Sequence, residues 1–178
     1  MQILFLTAQG DLAGATNSIF YLADGLAKRG HDIFVGCRRE SLLFNFLQDS
    51  PAQALPLQFK NSFDIKSFVE LKKIIPDKKI QIVNAQSSKD RYLSIGLKFL
   101  FGNRIKVIHT RRNLPYSPFI APQRWLYQKG TDRFVAISNE LKNIFIQKGF
   151  PASHIDTIFN GIPITRFENI DLGLIQQL

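Results

Sequence analysis

The chain has 178 residues, with 23 Lys and Arg against 14 Asp and Glu and a formal net charge of +9. That length suits one α/β domain and excludes two, while 45% hydrophobic and 21% charged residues exclude a disordered chain. The lone Cys37 excludes an intrachain disulfide, and His31, His109 and His154 are too far apart for a short-spaced zinc motif. A basic balance points to anionic partners, whether phosphate, nucleic acid or an acidic membrane surface, and does not choose among them.

In chain order, Gln2 to Thr7 reads as a buried strand, its apolar run too short for the core of a signal peptide. Ala15 to Arg29 follows as a helix, with Ile19, Leu22, Ala23 and Leu26 on one stripe and Gly30 as its stop. Asp32 to Gly36 is a second strand, Ser41 to Leu47 a short helix, and Ala54 to Phe59 a strand that Pro56 consigns to an edge. Ile65 to Ile75 is helical and closed by Pro76. Ile80 to Ala85 is a strand, Asp90 to Phe101 a helix, and Ile105 to His109 a strand. A loop containing Pro115 and Pro118 leads to a helix over Pro122 to Lys129. Arg133 to Ile137 is the next strand. The helix after it is capped by Ser138, favoured at its start by Glu140 and ended by Gly149 and Pro151. Ile155 to Phe159 is the last strand, and Thr165 to Leu178 reads as a linker or the start of a connection.

Strands alternating with helices over short connections predict an α/β fold: an open, doubly wound, mainly parallel sheet of six or seven strands with helices on both faces. Residues 1–164 form that domain and 165–178 the connection. Ligands of such sheets sit at the carboxyl ends of the strands. No apolar run approaches the roughly 18 residues of a membrane span, so the expectation is a cytoplasmic protein in a reducing compartment.

Four segments follow strands and carry candidate chemistry. The first is the loop Gln9 to Thr16, where Gly10 and Gly14 allow backbone N–H groups and a helix N-terminus to face a phosphate. It fits neither G-x-G-x-x-G nor the Walker loop, and a tight turn alone would also need its glycines. The second is Asn84 to Arg91, including Gln86, Ser87, Ser88, Lys89 and Arg91, more polar than a helix cap requires. The third is His109-Thr110-Arg111-Arg112-Asn113. A histidine closing a strand is commonly a core residue, but two adjacent arginines bind phosphate or carboxylate well. Lys89 to Arg133 holds ten basic residues and only Asp90 and Asp132 as acids, which predicts a basic region gathered at one end of the sheet. The fourth is Asn160-Gly161, a turn signal in any protein.

Taken in order, these segments resemble the N-terminal domain of the family four retaining glycosyltransferases of GT-B fold. The resemblance is carried by Ile3 to Leu6 with the glycine loop and Ala15-Thr16, by Val107 to Arg111, by Val135 to Leu141, and by Ile158-Phe159-Asn160-Gly161-Ile162 with Arg166-Phe167. It covers residues 1 to 167. It implies a Rossmann-like half of a two-domain enzyme that moves a hexosyl-type sugar from a nucleotide-sugar to a carbohydrate or phosphorylated glycolipid acceptor. The setting it implies is cell-envelope glycan synthesis, lipopolysaccharide or polysaccharide. The resemblance implies that His109 is catalytic and lies in the cleft between domains, and that Gly10, Gly14, Ala15 and Thr16 approach the donor phosphates. It assigns Gln86, Ser87, Ser88, Lys89, Arg91, Arg111, Arg112 and Asn113 to the acceptor, and Asn160 and Gly161 to a cleft turn. It implies no metal and no cofactor, most donor contacts from a second domain, and little or no transfer by these 178 residues alone. A peripheral position on the inner face of the cytoplasmic membrane would suit the positive charge; no specific nucleic-acid partner is expected.

Two departures stand out: one glycine where the family often has a pair before Ala15, and Gln86 where many members have histidine. Two other classes remain open on the residues. Arg38 and Arg39 after the second strand would suit the 2′-phosphate of NADP in an oxidoreductase, although the dinucleotide glycine motif and a Tyr-x-x-x-Lys pair are missing. A non-catalytic module for an anionic glycan or lipid is the other.

Overall fold

The computed structural model describes residues 1–11, 14–61, 64–112 and 121–164. Strands are β1 (Gln2–Leu6), β2 (Asp32–Cys37), β3 (Gln53–Pro56), β4 (Ile82–Ala85), β5 (Lys106–Arg111), β6 (Arg133–Ala136) and β7 (Ile155–Thr157). Helices are α1 (Gly14–Lys28), α2 (Leu42–Phe46), α3 (Ile65–Asp77), α4 (Ser88–Phe101), α5 (Ala121–Gly130) and α6 (Asn139–Gln147). All seven strands pair in parallel in the order β3-β2-β1-β4-β5-β6-β7. This is the expected doubly wound sheet, with the Pro56 strand at an edge. The last strand stops at Thr157, two residues short of the expected end, and Ile158 and Phe159 beyond it are exposed. The prolines of the loop before α5 and the segment from Thr165 lie outside the described residues.

Alternation along the strands sorts the core into two layers. Leu4, Leu6, Val83 and Val107 face α3 and α4 and pack on Leu71, Ile75, Leu93 and Leu97. Farther along the same face, Phe134, Ala136 and Ile155 meet Ile95, Tyr127, Leu141 and Phe145 of α4, α5 and α6. Ile3, Phe5, Ile33 and Val35 point the other way, onto Ile19 and Ala23 of α1 and Leu43 of α2. Each fully buried large side chain contributes roughly 1.5–3 kcal/mol.

Caps set the helix starts where polar residues follow strands. Ser138 Oγ accepts from the Leu141 N–H at 3.2 Å, as expected for α6. Ser87 and Asp90 form a reciprocal capping box on α4. The chain winds outward from β1 through β2 and β3, then crosses back to place β4 on the other side of β1. The crevice of the fold therefore opens at the carboxyl ends of β1 and β4.

Candidate functional site

Gly10, Gln86, Arg112 and Asn160 all follow the carboxyl ends of strands. The structure ties several of them together. Arg112 donates from Nη1 to Gln86 Oε1 and from Nη2 to Ser18 Oγ at 3.3 Å, and Ser18 Oγ in turn donates to Asn160 Oδ1 at 2.8 Å. Beneath this chain, Thr110 Oγ1 donates to Asn84 Oδ1 at 2.9 Å. Residues from α1 and from the ends of β4 and β5 thus meet at one guanidinium, and Asn160 beyond β7 joins them through Ser18.

The partners of Arg112 are neutral oxygens. Burial pulls its guanidinium down to about 10, and the charge of Asp90 acts the other way. Arg112 Nε and Gln86 Nε2 are buried without a hydrogen-bond partner. This network closes one end of an open trough of about 580 Å³. Its floor is the α1 side of the sheet, with Ile82, Ile108, Val135 and Ile137, and Phe159 and Ile162 stand at its rim.

His109 stands elsewhere. Its side chain is fully buried on the opposite face of β5, edge-on to the rings of Tyr127 and Phe134 at 5.9 and 5.4 Å. Its Nε2 lies 2.8 Å from Ser94 Oγ. Ser94 gives its only proton to the Arg91 carbonyl at 2.8 Å, so Nε2 carries the hydrogen and donates to Ser94. Burial, with the charges of Arg91 and His154, holds the ring well below its ordinary 6.5 and therefore neutral. The expectation that His109 points into the cleft is corrected. Residues 107, 109 and 111 share the helix-covered face, whereas 108, 110 and 112 face the trough.

The other expected acceptor residues divide in the same way. Arg91 and Arg111 lie over the Tyr127 and Phe145 rings, at 5.6 and 5.3 Å, on the helix side. Ser87 is buried and serves the α4 cap, whereas Lys89 is exposed. Ser88 opens α4; Asn113 lies outside the described residues. The basic residues between Lys89 and Arg133 do not gather at one end. The 14 residues of α4 run back along the sheet, a span of about 21 Å, so Lys98 reaches the opposite edge. There it pairs with Asp132 at 2.7 Å, beside Lys106, which pairs with the same carboxylate at 3.2 Å.

The glycine loop is held from both sides. A Cβ on Gly10 would lie 2.5 Å from the Ser41 Cβ, so only glycine fits, and the Gly10 carbonyl accepts from the Leu43 N–H at 3.0 Å. Gly14 and Ala15 open α1, with free space around Gly14; Thr16 is buried and donates from Oγ1 to the Asp11 carbonyl. Arg38 pairs with Asp11 at 3.0 Å. Gly161 lines the trough beside Asn160.

Asn84, Asp90 and Thr110 fall inside the candidate segments but carry no assigned role there, and Ser18 falls outside them all. The Ser87-x-x-Asp90 spacing of a capping box was readable there, but nothing marked Ser18, in the middle of a helix. Among the described residues no group of three or more His, Cys, Asp or Glu could hold a metal ion.

No curated protein sequence matches the chain. Its fold is similar to that of HepE from Anabaena in complex with UDP-glucose, with a TM-score of 0.77 at 18% identity, over 99% of this chain and 49% of that one. A glycosyltransferase from Rickettsia africae gives 0.78 at 20% identity, over 99% and 48%. The lipopolysaccharide outer core galactosyltransferase WaaB gives 0.65 at 16% identity, over 92% and 47%. The chain spans about half the length of each of these structures. The model of Glycosyltransferase Family 4 matches residues 12–166, most of the sequence, and the chain belongs to that family.

Proposed function

We propose that this domain is the acceptor-side half of a glycosyltransferase that moves a hexosyl group from a nucleotide-sugar to a carbohydrate or lipid-linked acceptor in cell-envelope glycan synthesis. The observation that carries the reading is the convergence of Gln86, Arg112, Ser18 and Asn160 at the carboxyl ends of the strands. Neutral oxygens hold the guanidinium in place, which leaves its charge for a phosphate or another anionic group of the acceptor. Fold neighbours add support, since HepE is described with UDP-glucose and WaaB as a galactosyltransferase of the lipopolysaccharide core.

In this reading Gly10, Gly14, Ala15 and Thr16 face the donor phosphates, and a donor-binding domain supplies the remaining contacts. Alone, residues 1–178 transfer nothing, because both reactants must be held for reaction. His109, enclosed and neutral, acts through β5: it fixes the strand from which Thr110 and Arg112 project. Lys89, with the exposed basic residues, would favour an anionic membrane surface, and none of the described helices is long and apolar enough to cross a membrane.

Transfer assays with UDP- and GDP-hexoses test this, using a polypeptide that carries this domain together with a donor domain. Arg112→Met should raise KM for the acceptor at least about tenfold and leave KM for the donor unchanged, since uniform binding of one substrate is lost. Transfer by residues 1–178 alone, or indifference to Arg112, would overturn the proposal.

A further inference from the structure

Asp90 belongs to none of the groups assigned above, yet it is fully buried beside the crevice. Its Oδ2 accepts from Ser87 Oγ at 2.7 Å, from the Ser87 N–H at 3.0 Å and from the Ala8 N–H at 3.3 Å. Ser87 Oγ also lies 3.3 Å from the Ala8 nitrogen. The bonds to Ser87 are an ordinary helix cap. The bond to Ala8 is not, because Ala8 follows β1 and begins the glycine loop. On the other side that loop is fixed by Leu43 and by the Arg38–Asp11 pair. The Ser87–Asp90 pair is therefore its anchor to α4.

We propose that Asp90 is a positioning residue: its carboxyl group, through the bond from the Ala8 N–H, sets the glycine loop against the start of α4, beside the Arg112 network. That the loop serves a nucleotide-sugar rests on the glycosyl-transfer reading; the anchor does not. Replacement by asparagine turns one carboxyl oxygen into an NH2 donor. The amide NH2 then opposes the Ala8 and Ser87 N–H groups or leaves them unpaired.

The charged groups near Asp90 are Arg91 on its own helix, whose charge lowers its pKa, and Arg112 from the end of β5. From the loop side, Asp11 is exposed and paired with Arg38. Burial outweighs the hydrogen bonds and Arg91, and pushes the Asp90 carboxyl up from 3.8 to about 7. A carboxyl raised in the folded state binds its proton more tightly there than when hydrated. If loosening the loop hydrates Asp90, loosening must become easier as pH rises from about 4 to about 7.

Amide hydrogen exchange across Ala8 to Asp11, corrected for the intrinsic effect of pH, tests this in the 178-residue chain. Loop protection should fall about tenfold between roughly pH 5.5 and pH 8, while that of the central strands does not follow it. In Asp90→Asn the loop should be less protected than in the native chain at pH 5.5 and its pH dependence should be lost. Protection in the native chain that does not change with pH would overturn the proposal, even if the variant failed to fold. So would an Asp90→Asn loop that exchanges like the native one, which is the outcome for a carboxylate that only caps α4. Neither result depends on transfer activity.

Discussion

The two faces of β5 hold four polar side chains in a row and treat them in opposite ways. On the helix-covered face, His109 sits among Tyr127, Phe134 and Ser94 with a neutral ring, and Arg111 lies over Phe145. On the trough face, Thr110 and Arg112 meet Asn84, Gln86 and Ser18, and two buried donors keep no partner. The first arrangement is what packing favours: one ring nitrogen is bonded to Ser94, and the other, an unpartnered lone pair, is enclosed uncharged in a layer of rings. The second is costly for stability, because a guanidinium partly withdrawn from water, with neutral hydrogen-bond partners, does not recover its lost hydration. Where a fold retains such a group, a ligand is a better explanation than packing.

The comparison can be broken from either side. On the helix face, Ser94→Ala would leave His109 Nε2 buried without its acceptor and should lower unfolding stability by about 1–3 kcal/mol, as read by urea denaturation. A neutral result would mean that the bond to Ser94 does not hold the ring. On the trough face, Phe159→Ser at the exposed rim should change stability by no more than about 0.5 kcal/mol. A larger loss by the same method would show that the trough rim is part of the core of this domain.

The sheet was legible because its signals are local. Short apolar runs between amphipathic stretches, Ser138 before α6, Gly149 after it and Pro56 in an edge strand each act within a few residues. The gathering of Gln86, Arg112 and Asn160 at one end of the sheet was legible too, since polar residues follow β4, β5 and β7. The face was not. His109 and Arg112 are three residues apart, so alternation sends them to opposite sides, and which side helices cover depends on where α4, α5 and α6 pack. The basic run from Lys89 to Arg133 misled for a related reason. A helix and a returning connection carry Lys98 and Lys106 to the far edge, where both pair with Asp132. Ser18 left no trace in the sequence because its role comes from Arg112 and Asn160, 94 and 142 residues away.

The central claim is that the helix face of β5 is core and the trough face is site. The most direct measurement is urea unfolding of His109→Ala and Arg112→Ala in the same 178-residue chain, each at about pH 7.5 and about pH 5. His109→Ala should lose about 2–4 kcal/mol at the higher pH, from the cavity and from the unpaired Ser94. Arg112→Ala should lose less than about 1 kcal/mol, since its buried charge is poorly compensated. The folded-state pKa of His109 is depressed, so the native chain loses stability as pH falls below 6.5, and the alanine variant lacks that loss. The gap between native and His109→Ala should therefore narrow at pH 5. A large loss for Arg112→Ala beside a small, pH-independent loss for His109→Ala would contradict the account and return His109 to the cleft.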